Sequence, residues 1–279
     1  MELIEPEVEL LSELGITPES HIARCARVCY GREYKEPNQA ADKKLVEGLI
    51  NRGHLSMLRH ASMYLSHTED IFRIATHIAN SCYWNYDVLR GYASTNLQEF
   101  MQSGVGKETV TVIDNKQFLE DCAKHPRLFE LYRLTFCITT QISTSRELNR
   151  VSPNNIAERS TRFCSAKGGL AICRPWWIKS PIEDAVSALS YYNLACEAEK
   201  TYMTLLLRGM KPENARGVLP LDTATKVIYT YSVQEWQHIL DLRLYDKTGK
   251  AHPNCHVVMQ MVKDQINQFA KEHNIDYQV

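Results

Sequence analysis

Two runs of β-branched and aromatic residues constrain this chain most: YRLTFCITTQIST (132–144) and TATKVIYTYS (223–232). Such residues fit a pleated, half-buried surface better than a helix, so each run is expected to be a strand. ASMYLSH (61–67) alternates and reads as a third strand, and ETVTVID (108–114) as a short fourth within the irregular segment 80–130. The rest is largely helical. In ITPESHIARCARVCY (16–30), Thr17 can cap a helix, Pro18 suits its first turn, and Ile22, Ala26 and Cys29 share a face. NQAADKKLVEGLINRG (38–53) is a second helix with Gly53 as its stop, and TEDIFRIATHIANS (68–81) reads as a third. Ser180 and Pro181 open a long helix through Leu207 that Gly209 stops; a short one follows Pro212. SVQEWQHILDLRLY (232–245) and HPNCHVVMQMVKDQINQFAKEH (252–273) are amphipathic helices. These elements mix without a regular βαβ rhythm. The expected fold is α+β, a mostly antiparallel central sheet flanked by helices, in one domain spanning 1–279 with no internal repeat or linker.

Charge and cysteine content narrow the function. Lys+Arg is 32 against Asp+Glu 33, so no basic field exists for nucleic-acid binding, and any anion site must be local. The nine cysteines are irregularly spaced and include no C-x-x-C pair, which points to reduced thiols in a cytoplasmic protein rather than a disulfide framework or zinc site. No His, Asp, Glu or Cys triple has metal-ligand spacing. The acidic MELIEPEVELL start is not a signal peptide, and no run reaches the length of a membrane span.

Three segments carry candidate chemistry. RGHLSMLRH (52–60) gathers two histidines, a serine and two arginines at a helix-to-strand connection; it is either a site or a plain polar loop. SRELNRVSPNNIAERSTRFC (145–164) follows a strand and holds Arg146, Arg150, Arg159 and Arg162. Arg146 and Arg150 share a face if helical, and Ser160 with Arg162 can present a hydroxyl and a guanidinium fork to a phosphate. The competing reading is a solvated charged face salt-bridged by Glu147 and Glu158. The third segment is ENARGVLPLDTAT with WQHILDLR, where Arg216 and Arg243 each could merely complement a helix dipole. Separately, HPNCH (252–256) offers Cys255 as a nucleophile beside histidine, but Pro253 is placed to open a helix there. Cys29 and Cys164 read as small buried apolar residues.

Taken in order, these segments resemble the flavin-dependent thymidylate synthase family. GHLSMLRH (53–60) matches its G-H-x-[ST]-x-x-x-H, RVSPNNIAERSTRF (150–163) its R-H-R-x-x-S-x-N-E-x-S-x-R-[YF], ARGVLP (215–220) its A-R-x-x-L-P, and LDLR (240–243) its L-x-L-R, with a downstream His252; CARVCY (25–30) resembles A-A-R-x-[SC]-[YF]. The resemblance implies reductive C5 methylation of dUMP to dTMP, with methylenetetrahydrofolate as one-carbon donor, FAD as cofactor, NADPH as reductant, and a homotetramer with shared active sites. No enzyme nucleophile is implied. It implies that Ser160, Arg162, Arg216 and Arg243 hold the pyrimidine nucleoside monophosphate, with Arg243 in the catalytic role. Glu147 occupies a position near the nucleotide that the family usually fills with glutamine. On the FAD and folate side it implies His54, Ser56, Arg59, His60, Arg150, Asn155, Glu158, His238 and His252. Val151 and Ser152 stand where the family has the His and second Arg of R-H-R, and Arg59 replaces a glutamate. These departures leave open a hydroxymethyl product, a different nucleotide (UMP or dCMP), or a non-catalytic nucleotide-binding paralogue.

Overall fold

The computed structural model describes residues 1–32, 36–66, 81–105, 110–151, 155–162, 168–179 and 185–279. In chain order the strands are β1 (Glu2–Ile4), β2 (Glu7–Leu10), β3 (Ser62–Ser66), β4 (Asn85–Asp87), β5 (Tyr92–Asn96), β6 (Thr111–Ile113), β7 (Arg133–Gln141), β8 (Ile156–Glu158), β9 (Ala171–Cys173) and β10 (Ala224–Ser232). The helices are α1 (Pro18–Val28), α2 (Gln39–Asn51), α3 (Leu97–Gln102), α4 (Asn115–Lys124), α5 (Ile142–Leu148), α6 (Ala185–Leu207), α7 (Pro212–Ala215), α8 (Val233–Arg243) and α9 (Pro253–Glu272). Residues 68–80 of the helix expected over 68–81, the opening of the long helix at Ser180, and Cys164 lie outside the described residues.

The fold is α+β. One four-stranded antiparallel sheet runs β2-β7-β10-β8, a second runs β4-β5-β3-β6, and β1 pairs in parallel with β9. The two runs that dominate the sequence are neighbours: β7 and β10 pair over nine residues, Arg133 opposite Ser232 through Gln141 opposite Ala224. Every residue of β7 is buried, so both its faces are covered and its sequence is a continuous run rather than an alternation. Phe136, Ile138, Val227 and Tyr229 from this pair pack with Trp236 of α8 and with Val258, Val262, Ile266 and Phe269 of α9. The Trp236 indole donates to the Leu134 carbonyl (3.0 Å), so the buried ring leaves no orphan donor.

Helix boundaries follow local chemistry. The Thr17 side chain accepts from Ser20 N, and Gly53 stands after α2 at φ 71°, a left-handed conformation that suits glycine. Ser232 and Glu235 form a reciprocal capping box on α8. His252 caps α9, with Pro253 in its first turn.

Three sequence expectations are corrected here. The strand read over 132–144 ends at Gln141, because the Ile142 and Ser143 amides donate to the Thr223 and Leu221 carbonyls (both 3.0 Å) and α5 begins at once. That helix ends at Leu148, so Arg150 lies beyond it and shares no helical face with Arg146. Cys29 is half-buried, and its carbonyl accepts from Ser160 N (3.0 Å).

Candidate functional site: an arginine-lined cleft

The end of β8 builds one wall of a cleft of about 640 Å³. Glu158 pairs with Val227, the next amide, Arg159 N, donates to the Lys226 carbonyl (2.8 Å), and Ser160 N donates to the carbonyl of Cys29, the C-cap of α1 (3.0 Å). This short extended stretch therefore sits rigidly between β10 and α1. The facing walls come from Ile142 and Arg146 of α5 and from the turn after α7, Arg216 to Leu221. Arg146, Arg159 and Arg216 converge there with the hydroxyls of Ser160 and Thr161. Among the described residues, no hydrogen bond or ion pair engages the guanidinium of Arg146 or Arg159.

Three sequence-derived site residues, Glu158, Ser160 and Arg216, line this cleft. Arg216 Nη1 donates to Thr161 Oγ1 (3.1 Å) and its Nε to the Glu213 carbonyl (3.2 Å), fixing the guanidinium across the opening. Arg162 stands apart from the lining: its side chain is 59% exposed and its Nε pairs with Glu213 Oε2 at 2.9 Å. That pairing holds the Glu213 carboxyl below its usual range. Arg159 and Arg146 were not singled out as ligands from sequence. The signal was the count of arginines in one segment, and what was missing was which of them face inward.

Among the described residues the charged stretch forms no ion pair within itself: Glu147 Oε1 lies 4.0 Å from Arg243 Nε, and Arg162 pairs with Glu213. Glu158 lines the cleft but is held by neutral donors: Ser145 Oγ (2.7 Å) and Thr225 Oγ1 (3.2 Å) to Oε1, and Asn149 Nδ2 (3.1 Å) to Oε2. Asn149 is in turn fixed by the Tyr229 hydroxyl, which donates to its Oδ1 (2.7 Å). Three neutral bonds thus hold the carboxylate in place and leave the three cleft cations uncompensated by it at contact distance.

Glu147, Arg243 and His252 form a second cluster at the far end of α5. The Arg243 guanidinium, 16% exposed, donates through Nε and Nη2 to the Glu147 carbonyl (both 3.3 Å). A cation there complements the C-terminal end of α5, not of its own helix. Glu147 Oε1 accepts from His252 N (3.3 Å). Arg243 thus does not join Arg216 in the first cleft. Glu147 and His252 line an adjoining cavity of about 560 Å³ that shares Pro220 and Leu221 with it.

A model of the family described as thymidylate synthase complementing protein matches residues 64–270. The chain belongs to the flavin-dependent thymidylate synthase family. Membership places it among methylases that act on a nucleotide at C5. A flavin-dependent thymidylate synthase from Synechocystis sp. is 28% identical over 148 residues, which span 49% of this chain and 69% of that relative. Among solved structures, the UMP/dUMP methylase PolB from Streptomyces cacaoi, bound with 5-Br dUMP, is similar at a TM-score of 0.46 and 17% identity, over 97% of this chain and 93% of that one.

Membership implies FAD, but the residues implied for it do not assemble a cradle within one chain. His60 is fully buried: its Nδ1 bonds Thr230 Oγ1 (2.8 Å), Thr230 bonds Thr135 (2.8 Å), and Thr135 bonds His21 (3.1 Å). Burial above all, with the charges of His21, Arg133 and Arg59, pushes His60 down to about 3, so it is a neutral core histidine rather than a surface ligand. Val151, at the flavin-histidine position of the motif, is 4% exposed and packs in the main core with Leu148 and Tyr229. Asn155 is buried with neither amide atom hydrogen-bonded. His54, just before the 3-10 turn Leu55–His60, and Ser56 within it are exposed, Arg150 is exposed beyond α5, and His238 is exposed on α8. Arg59 donates to Gln98 (2.9 Å) and covers the Tyr83 ring at 4.8 Å.

Cys255 is fully buried, and burial followed by the Glu147 charge pushes its thiol well up. It has neither the access nor the ionisation of a nucleophile.

Proposed function

We propose that this chain binds a pyrimidine nucleoside 5′-monophosphate, with its phosphate in the Arg146–Arg159–Arg216 cleft, and transfers a one-carbon unit to the C5 position of the base. The family reaction, dUMP to dTMP with methylenetetrahydrofolate as donor and NADPH as reductant, is the form of this chemistry we assign first. The observation that carries the reading is the cleft itself. Arg146, Arg159 and Arg216 line it with Ser160 and Thr161, the one carboxylate of the lining, Glu158, being engaged by Ser145, Thr225 and Asn149, and planar forks with hydroxyl donors offset the desolvation of a dianion. The chain's own part is to bind and orient: the cleft fixes the phosphate end so that the base is held in one register for reaction. The exposed apolar residues of α6 (Val186, Leu189, Leu194 and Leu207) favour a homotetramer in which a neighbouring copy completes the surface that carries the redox cofactor.

Calorimetric titration with dUMP and with deoxyuridine tests this. Binding of dUMP and not of the nucleoside is expected, and Arg216→Ala should weaken dUMP about tenfold to a hundredfold. Arg162→Ala should cost about threefold, since Arg162 is exposed and already paired with Glu213. Equal affinity for nucleoside and nucleotide would remove the phosphate site.

A second reading is favoured by Val151 and His60. Both lie in the core at positions the family motifs assign to flavin contact, which suits a nucleotide-binding paralogue without redox chemistry. A colourless protein that binds dUMP and takes up no added FAD as a full oligomer would select it.

A further inference from the structure

Among the described residues lining the arginine cleft, Glu158 carries the one carboxylate. A carboxylate left loose beside guanidinium groups pairs with one of them and competes with any phosphate for it. What restrains Glu158 is set by the sheet. It stands directly opposite Val227 in the antiparallel β8–β10 ladder, so the two side chains share a face. Thr225 and Tyr229 flank Val227 on that same face, two residues to either side. Thr225 reaches Oε1 directly (3.2 Å), and Tyr229 acts on Oε2 through Asn149, the residue that ends α5.

The direction of this chain of bonds is dictated by its members. An ionised carboxylate only accepts, so Asn149 must turn Nδ2 toward Glu158 (3.1 Å). Its Oδ1 then points away, where the Tyr229 hydroxyl donates to it at 2.7 Å. Burial first, and then the Glu158 charge, raise the Tyr229 phenol, so it keeps its proton and stays a donor. The Oε1 side is held less firmly. Ser145 Oγ lies 2.7 Å from Oε1 but also 3.0 Å from the Ile142 carbonyl, so one proton serves two acceptors. Among the described residues Oε2 accepts from Asn149 alone, and that bond sets the plane of the carboxylate. Neither Asn149 nor Tyr229 lines the cleft, and neither lies within the motif strings 150–163 and 215–220.

We infer that Asn149 and Tyr229 are positioning residues of the phosphate site: by anchoring Glu158 Oε2 they keep its carboxylate from pairing with Arg146 or Arg159, so both guanidinium groups stay open to the nucleotide phosphate. This rests on the phosphate reading of the cleft and adds the device that keeps that site cationic. Without the Asn149 bond, Glu158 turns about its Oε1 contacts toward the nearest guanidinium, and a phosphate must displace it to bind.

The test is a double-mutant cycle read by calorimetric titration of the full chain with dUMP and with 2-deoxyribose 5-phosphate. The proteins are the wild type, Asn149→Ala, Tyr229→Phe, Glu158→Gln, each of the first two variants combined with Glu158→Gln, and Arg216→Ala. Asn149→Ala should weaken dUMP about fivefold and Tyr229→Phe about twofold, the scale of a partly exposed ion pair. The sugar phosphate should lose affinity by the same factors, because the effect acts on the phosphate. In the Glu158→Gln background no carboxylate remains to swing, so Asn149→Ala should then change the affinity by less than about 1.5-fold. A loss of equal size in both backgrounds would mean that Asn149 merely supports the end of α5, and would overturn the inference. An unchanged dUMP affinity in Asn149→Ala would overturn it as well. If Asn149→Ala does not fold, the same comparison with Tyr229→Phe decides. Weakening by Arg216→Ala without any effect of Asn149→Ala would sink this inference and leave the phosphate cleft standing. Failure of the sugar phosphate to bind the wild type would unseat both.

Discussion

Replacing His60 with glutamine isolates one buried titration. In the folded chain His60 is held at about 3, against roughly 6.5 for a histidine in an unfolded chain. Between those values the unfolded state binds a proton that the folded state refuses. Stability is therefore full above pH ~6.5, falls as the pH drops through that window, and stops falling near pH ~3. A single site with these two values loses about 2 kcal/mol between pH ~8 and pH ~5. Glu13, whose carboxyl burial raises, acts with the opposite sign, and His21, which burial lowers strongly, acts with the same sign. Both remain in the variant, so they cancel in the comparison. Glutamine can keep the bond to Thr230 and does not titrate. Urea unfolding at both pH values should show the wild type losing about 2 kcal/mol more than His60→Gln, a relative midpoint shift of about 0.7 M for a slope near 3 kcal/mol per M. Identical pH dependence in the two proteins would refute the claim that His60 is a neutral core residue.

Val151→His should destabilise the chain by about 2–4 kcal/mol, because it puts an imidazole into the apolar core beside Leu148 and Tyr229; a gain of visible flavin absorbance at unchanged stability would contradict that placement. Cys255→Ala should leave turnover intact and cost about 1 kcal/mol as a buried small-residue truncation, and a native-state thiol titration should not detect Cys255. Gly53→Ala should cost about 1 kcal/mol in chemical denaturation, since φ 71° there disfavours a side chain. Leu189→Glu should dissociate the proposed homotetramer as read by light scattering; an unchanged mass would refute a subunit contact through α6.

Local chemistry made much of the fold legible. Thr17, Asn38 and Ser232 act as the N-caps their side chains suit, and Gly53 and Gly209 stop helices in left-handed conformations. The β-branched runs became β7 and β10, because strand preference and burial pull the same way there. The family motifs were legible for a similar reason: each is a short contiguous string, and two of them, 150–163 and 215–220, border the two cavities.

Sequence by itself determined the main helices and the strand pair β7 and β10, that the fold is α+β, and that anionic chemistry had to be local in a chain of 32 basic and 33 acidic residues. Only the tertiary structure decided which arginines act together. Arg159 and Arg216 meet because β8 and the turn after α7 face each other across α5, while Arg243 is drawn to the Glu147 carbonyl at that helix's other end. It also decided that His60 and Val151 belong to the core. Side-chain direction depends on contacts between segments far apart in the chain, such as His60 with Thr230, 170 residues on, and no local pattern encodes them.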